Sequence, residues 1–286
     1  MPAPGKRAHE IQPGLLLATP ALFKSAGHAV RPRAKEAIMS VLVFFSHGEK
    51  GGVGKTAVAS AAIDLLLASG RRVAVVEGDV DNGDVAKRYE GKSNVTRVKK
   101  VRLSDPSEYQ RAVNDLVTFV AEIIETAEAD AVVVNMPANA STTVDKDIAV
   151  LSDAVADLGA LITVAISSGN TDQSIKRTVG IVSDGIGNLG ASVVLAPEFL
   201  KDENLVSKLS ERGLEQVELY PRLSPDTMQI ILDYPESTMG SLTHADGPIK
   251  SPIQRMRIAQ YLRQARDVLK PVMGGLVDPD VFGSKR

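Results

Sequence analysis

Residues 46–56 read SHGEKGGVGKT, and a lysine stands on each side of the glycine-rich run within them. Glycines let a backbone turn tightly and aim several N–H groups at one point, which is how a loop cradles phosphate oxygens. Lys55 follows the last glycine and is placed to reach β- and γ-phosphates, and the Thr56 hydroxyl is placed to ligate Mg²⁺. Gly51, Gly52, Val53, Gly54 and Ala57 would line the same nucleotide. Lys50 is a second cation in a loop that needs only one, and its purpose is not evident from the loop itself.

Such a loop works only when a strand delivers it and a helix receives it, because the helix adds its positive end to the phosphate site. VLVFFS (41–46) reads as a buried strand, and an apolar helix follows to about Ser69, with Gly70 as its stop. RVAVVE (72–77), AVVVN (131–135), LITVAI (161–166), ASVVLA (191–196) and QVELY (216–220) read as further strands separated by helical segments. One of those segments is a long amphipathic stretch over about 106–128, and a closing helix is expected over about 249–270. Alternation of this kind predicts an α/β fold, a mostly parallel doubly wound sheet with helices on both faces.

The loop lacks the glycine that an ordinary P-loop carries five residues before Gly54, and has Glu49 there. KGGVGKT (50–56) instead resembles the deviant, signature-lysine form of the ParA/MinD family of P-loop ATPases, nearer to its partition proteins. That resemblance implies a task for Lys50: to cross a dimer interface and touch the nucleotide held by a second copy. It implies ATP and Mg²⁺ as cofactors. VVEGDVDNGD (75–84) matches the family's D-x-D segment, with Glu77 on the first acid and Asp79 on the second. By resemblance Asp79 positions the attacking water near Mg²⁺, so Lys50, Lys55 and Asp79 form the catalytic set. AVVVNMPA (131–138) matches the family's D-T-P segment, but Asn135 stands where the acid should be. Thr56, Asp79 and Asn135 are then the metal set, with slow hydrolysis expected from the missing charge. LYPRL (219–223) implies Pro221 near the base, and APEF (196–199) replaces the family's base-reading asparagine. The resemblance covers about residues 41–270.

The 286 residues carry a net charge of −2 and no cysteine, which excludes disulfides, cysteine–zinc sites, iron–sulfur ligation and thiol catalysis. Any nucleic-acid contact has to come from local patches, and two groups of Lys and Arg, within 87–102 and 250–270, are candidates for nonspecific DNA binding. Residues 1–40, with five of the fifteen prolines, are expected to be a flexible arm outside a single domain over 41–286. GLLLATPALF (14–23) is interrupted by Pro20, so a secretion signal is not expected and the chain reads as cytoplasmic. The proline- and glycine-broken tail after residue 270 argues against stable membrane attachment.

The expected function is an ATP-dependent dimerising switch that positions or segregates DNA, or a protein cargo, with slow hydrolysis stimulated by an activating partner. Two alternatives remain open. One is a catalytically weak nucleotide-binding adaptor in plasmid stability or conjugation. The other is a P-loop ligase or synthase of the dethiobiotin-synthetase type.

Overall fold

The computed structural model describes residues 40–138, 140–142 and 144–283. The arm expected over residues 1–40 lies outside the described residues save for Ser40. Seven parallel strands form one sheet: β1 (Leu42–His47), β2 (Val73–Glu77), β3 (Val95–Lys100), β4 (Ala131–Asn135), β5 (Leu161–Ser167), β6 (Ala191–Pro197) and β7 (Val217–Tyr220). Their order is β3-β2-β4-β1-β5-β6-β7, which puts β1 in the middle. Helices α1 (Lys55–Ala68), α2 (Asp84–Tyr89), α3 (Tyr109–Thr126), α4 (Ile148–Leu158), α5 (Asp172–Ser183), α6 (Leu205–Ser210), α7 (Pro225–Asp233) and α8 (Pro252–Met273) make the connections.

The central strands are apolar at nearly every position because both faces are covered. Leu42, Phe44, Val73, Val75 and Val133 point into a core with α1 and α8. Val43, Phe45, Val76 and Val134 point the other way, onto α3 and α4. The same period of two carries Ser46, Glu77 and Asn135, which are neighbours in register at the strand ends, onto the α1 side. Chain reversal around β1 opens a crevice at the carboxyl ends of the strands, where ligands of open α/β sheets bind.

Three elements differ from expectation. The basic run within 87–102 holds α2 and an edge strand, β3. Its sequence VTRVKK is only half buried: its valines pack on the core while Arg97 and Lys99 lie over the Phe119 ring on the other face and Lys100 is exposed. Cations on an exposed edge discourage pairing with another sheet. The closing helix runs on through Pro271 to Met273, although Pro271 has no N–H to donate to the Asp267 carbonyl. The amphipathic stretch becomes helical only at Tyr109.

Candidate functional site: the cleft above β1

The glycine loop joins β1 to α1, as a phosphate-binding loop requires. Gly52 and Gly54 sit at φ +76° and +93°, a region that side chains with a Cβ rarely adopt, and Gly54 caps α1. Val53 turns its side chain into the protein, leaving its backbone for a ligand. The Ser46 hydroxyl donates to the Lys55 carbonyl at 2.8 Å and fixes the start of the helix against β1.

Lys55 is buried, with its ammonium donating to the Lys50 carbonyl at 2.9 Å. Burial pushes its pKa down to about 8, although the nearby Asp79 and Glu49 carboxylates pull it upward. A desolvated cation on a loop of unspent N–H groups is an anion site. Lys50 is exposed, and its stem passes Gly169, where an added Cβ would lie 3.4 Å from Lys50 Cδ.

A cleft of about 660 Å³ opens above the loop and is lined by Gly51, Gly52, Gly54, Lys55, Thr56 and Ala57. Asp79 and Pro221 line the same cleft, so most of the residues expected at the site converge there. Lys50, Val53 and Asn135 do not reach its wall. Asp79 is half-buried and accepts from Asn82 Nδ2 at 2.9 Å. Asp84 also lines the cleft, and the exposed Asp81 pairs with Arg102 at 3.3 Å.

Asn135 is buried at the end of β4. Its amide is already engaged, donating to Glu77 Oε1 at 2.8 Å. Glu77 is fully buried and also accepts from the backbone N–H groups of Asp79, Val85 and Ala86, holding the acidic turn and the start of α2 together. Burial raises the Glu77 pKa while these four donors oppose the rise. Asn135 therefore offers only Oδ1, which is buried without a partner. The Thr56 hydroxyl and the Asp79 carboxylate, both in the lining of the cleft, supply oxygen of the kind Mg²⁺ accepts in small number, phosphates and water completing the shell. Those two residues fit that ion.

Glu49 is buried, accepts from Ser141 N at 3.2 Å and pairs with Arg177 at 3.5 Å. It ties the front of the loop to the segment after β4 and to α5. Behind it His47 is fully buried, and burial, then Lys55, holds its pKa down near 3, so the ring is neutral. Burial pushes Asp145 up to about 6, opposed by its bond from Ile186 N and reinforced by Glu49. A carboxyl whose folded pKa exceeds its unfolded value favours the fold below about pH 4, and that advantage is lost as pH rises through 6. Asp145→Asn keeps the acceptor for Ile186. It is expected to stabilise the fold by about 1–2 kcal/mol at pH 7.5 and by nothing at pH 4, measured by urea unfolding at both values.

Most of the basic residues are engaged in the fold. Arg97 pairs with Glu122 and Glu128 and lies 5.0 Å from the Phe119 ring centre. Arg88 donates to the carbonyls of Ile231, Tyr234 and Ser237, linking α2 to the end of α7. On α8, Arg263 donates to the Phe282 carbonyl, and Arg266 to those of Pro279 and Val281. Lys92, Lys100 and Lys270 have no protein partner among the described residues.

Comparison with known proteins adds a limited likeness. The chain is similar to MobD and to MinD. It is 33% identical to Protein MobD of Acidithiobacillus ferrooxidans over 76 residues, which are 27% of this chain and 32% of that protein. The chain thus matches about a third of the length of this curated relative. No family profile matches. Among solved structures, the septum site-determining protein MinD of Pyrococcus horikoshii, complexed with Mg-ADP, aligns with a TM-score of 0.47 at 13% identity, covering 83% of this chain and all of that one. A Borrelia burgdorferi protein assigned to plasmid partition, bound to AMPPNP, aligns with a TM-score of 0.42 at 11% identity, covering 78% and 98%. Among the described residues no helix is long and apolar enough to cross a membrane.

Proposed function

We propose that the chain is a nucleotide-operated switch: it binds ATP with Mg²⁺ in the cleft above β1, pairs with a second copy in that state, and releases it after hydrolysis. The observation that carries this reading is the buried Lys55 ammonium beneath a glycine loop that opens toward Thr56 and Asp79. Phosphoryl transfer needs chiefly positioning and charge stabilisation, and these residues are equipped for both. Lys55 holds the phosphates, the Thr56 and Asp79 oxygens face the metal, and Asp79 orients water. Lys50 stays free to serve the neighbour's nucleotide.

The switch positions DNA or a protein cargo in the cytoplasm, and an activating partner stimulates hydrolysis. On the DNA branch, Lys92, Lys100 and Lys270 are the cations of the two basic patches left for phosphate contacts, each contributing about −0.9 to the slope of log affinity against log salt. A second reading, an adaptor that binds nucleotide and hardly hydrolyses it, is favoured by one observation. The amide of Asn135 occupies Glu77 where the resemblance calls for a free carboxylate.

Light scattering with and without MgATP tests the proposal. Wild type is expected to be monomeric alone and dimeric with ATP, and Asp79→Ala to remain dimeric long after wild type has reverted. A chain that stays monomeric while phosphorylating a small carboxylic acid would be a synthase instead.

A further inference from the structure

We infer that Phe199 is the platform on which the nucleotide base stacks, and that this cleft takes purine triphosphates without distinguishing adenine from guanine. This rests on the nucleotide reading above and adds the substrate range.

The sheet order places β2 and the β6–β7 pair on opposite sides of β1. Asp79 and its acidic turn follow β2, so the loops after β6 and β7 meet the glycine loop from the other flank. Phe199 lies in the short turn Glu198–Leu200 after β6 and is 37% exposed, an aromatic ring left open within the cleft lining. It stands directly against the glycine loop: a Cβ at Gly54 would be 3.3 Å from Phe199 Cε1. The turn is held by Glu198, whose carboxylate accepts from Arg222 N at 2.9 Å and so fixes Phe199 relative to Pro221. Ring and proline form two apolar walls beside a phosphate site.

Telling adenine from guanine requires a group matched to the amine or carbonyl at purine position 6, and a pocket without one discriminates weakly. On this flank Phe199, Pro221, Leu223, Met228 and Leu232 line the cleft without a polar group, and the tyrosines that also line it, Tyr220 and Tyr261, offer hydroxyls that can donate or accept and so suit an amine and a carbonyl alike. Pro221 has no N–H, and that of Arg222 is spent on Glu198. These two hydroxyls also bond each other at 3.0 Å. Stacking on an aromatic ring tolerates any base, since every base has a π-face.

Equilibrium binding of MgATP, MgGTP and inorganic tripolyphosphate to wild type, Phe199→Ala and Phe199→Trp tests the inference. ATP and GTP are expected to bind wild type within about threefold of each other, and Phe199→Ala to weaken both about tenfold while leaving tripolyphosphate unchanged. Because the chain has no tryptophan, Phe199→Trp supplies a single reporter, which both nucleotides should quench and tripolyphosphate should not. A preference of a hundredfold or more for one base overturns the inference. So does a Phe199→Ala protein that loses tripolyphosphate in step with the nucleotides, since that marks a role in shaping the loop. If no triphosphate binds and Lys55→Ala changes nothing, the nucleotide reading itself fails.

Discussion

Lys55→Ala is expected to weaken ATP binding by about 10²–10³-fold, whereas Lys50→Ala leaves affinity within about threefold and removes partner-stimulated turnover. The difference follows from where each charge sits. The Lys55 ammonium is buried and held on the Lys50 carbonyl, so a phosphate exchanges a weak neutral acceptor for a charged one in a poorly solvated place. Lys50 has an exposed side chain, and only its carbonyl contributes to the loop around Lys55. A cation delivered in trans to phosphoryl transfer is worth about 10³–10⁵ in rate, which sets the scale of the turnover loss. The pKa near 8 adds a second signature. At pH 8 the free site holds its proton half the time and the phosphate-bound site holds it fully, so binding should take up about half a proton. Calorimetry in buffers of different ionisation enthalpy reads that uptake, which should vanish at pH 6.5 and in Lys55→Ala. Equal loss of affinity in both variants would contradict the division of labour.

The second large effect concerns Asn135→Asp. Restoring the acid implied by the family resemblance looks like a way to speed hydrolysis, yet the geometry predicts damage first. The Asn135 amide lies 2.8 Å from Glu77 Oε1, and both side chains are buried. An aspartate there sets two carboxylates against each other and removes a donor from Glu77, at a cost of about 2–4 kcal/mol unless one keeps a proton. Guanidinium unfolding at pH 7.5 should show this loss, and it should shrink toward pH 5 as the pair takes up a proton. Glu77→Gln combined with Asn135→Asp restores a donor between the two positions. It strands Asp79 N, because one oxygen of Glu77 now serves both Asp79 and Asn135, so about half the lost stability should return. A rise in basal phosphate release is expected in the double variant only. An Asn135→Asp protein as stable as wild type and faster would show that Glu77 does not need its amide partner.

Five of the seven strands and the whole glycine loop were legible because doubly covered strands form unbroken apolar runs and glycine spacing is a local signal. β7 was legible too, though more faintly, as it lies at an edge. β3 was hidden: an edge strand needs to bury only part of its surface, and Arg97, Lys99 and Lys100 made it read as a charged patch. At the site, Lys55, Thr56, Asp79 and Pro221 could be placed from motif and resemblance, and they share one cleft. Glu77 could be seen as an acid but not as the acceptor for four donors, three of which come from other parts of the chain. Phe199 was seen only within APEF, as part of a departure from the resembled family, and not as a ring of its own. Its interest arises from packing against Gly54, 145 positions earlier in the chain, a contact only the sheet order brings about.

The arginines of α8 have a consequence for anyone shortening this protein. Arg263 and Arg266 spend their donors on main-chain oxygens of residues 279–282, and Arg71 does likewise with Leu276. Removing everything after Met273 would take the main-chain acceptors from Arg71 and Arg263 and leave Arg266 with Asp267, while the two aspartates lost, Asp278 and Asp280, are balanced by the loss of Lys285 and Arg286. A trimmed preparation would therefore keep its net charge yet present unspent guanidinium donors to polyanions such as heparin, so its affinity for nucleic acid would partly report the cut.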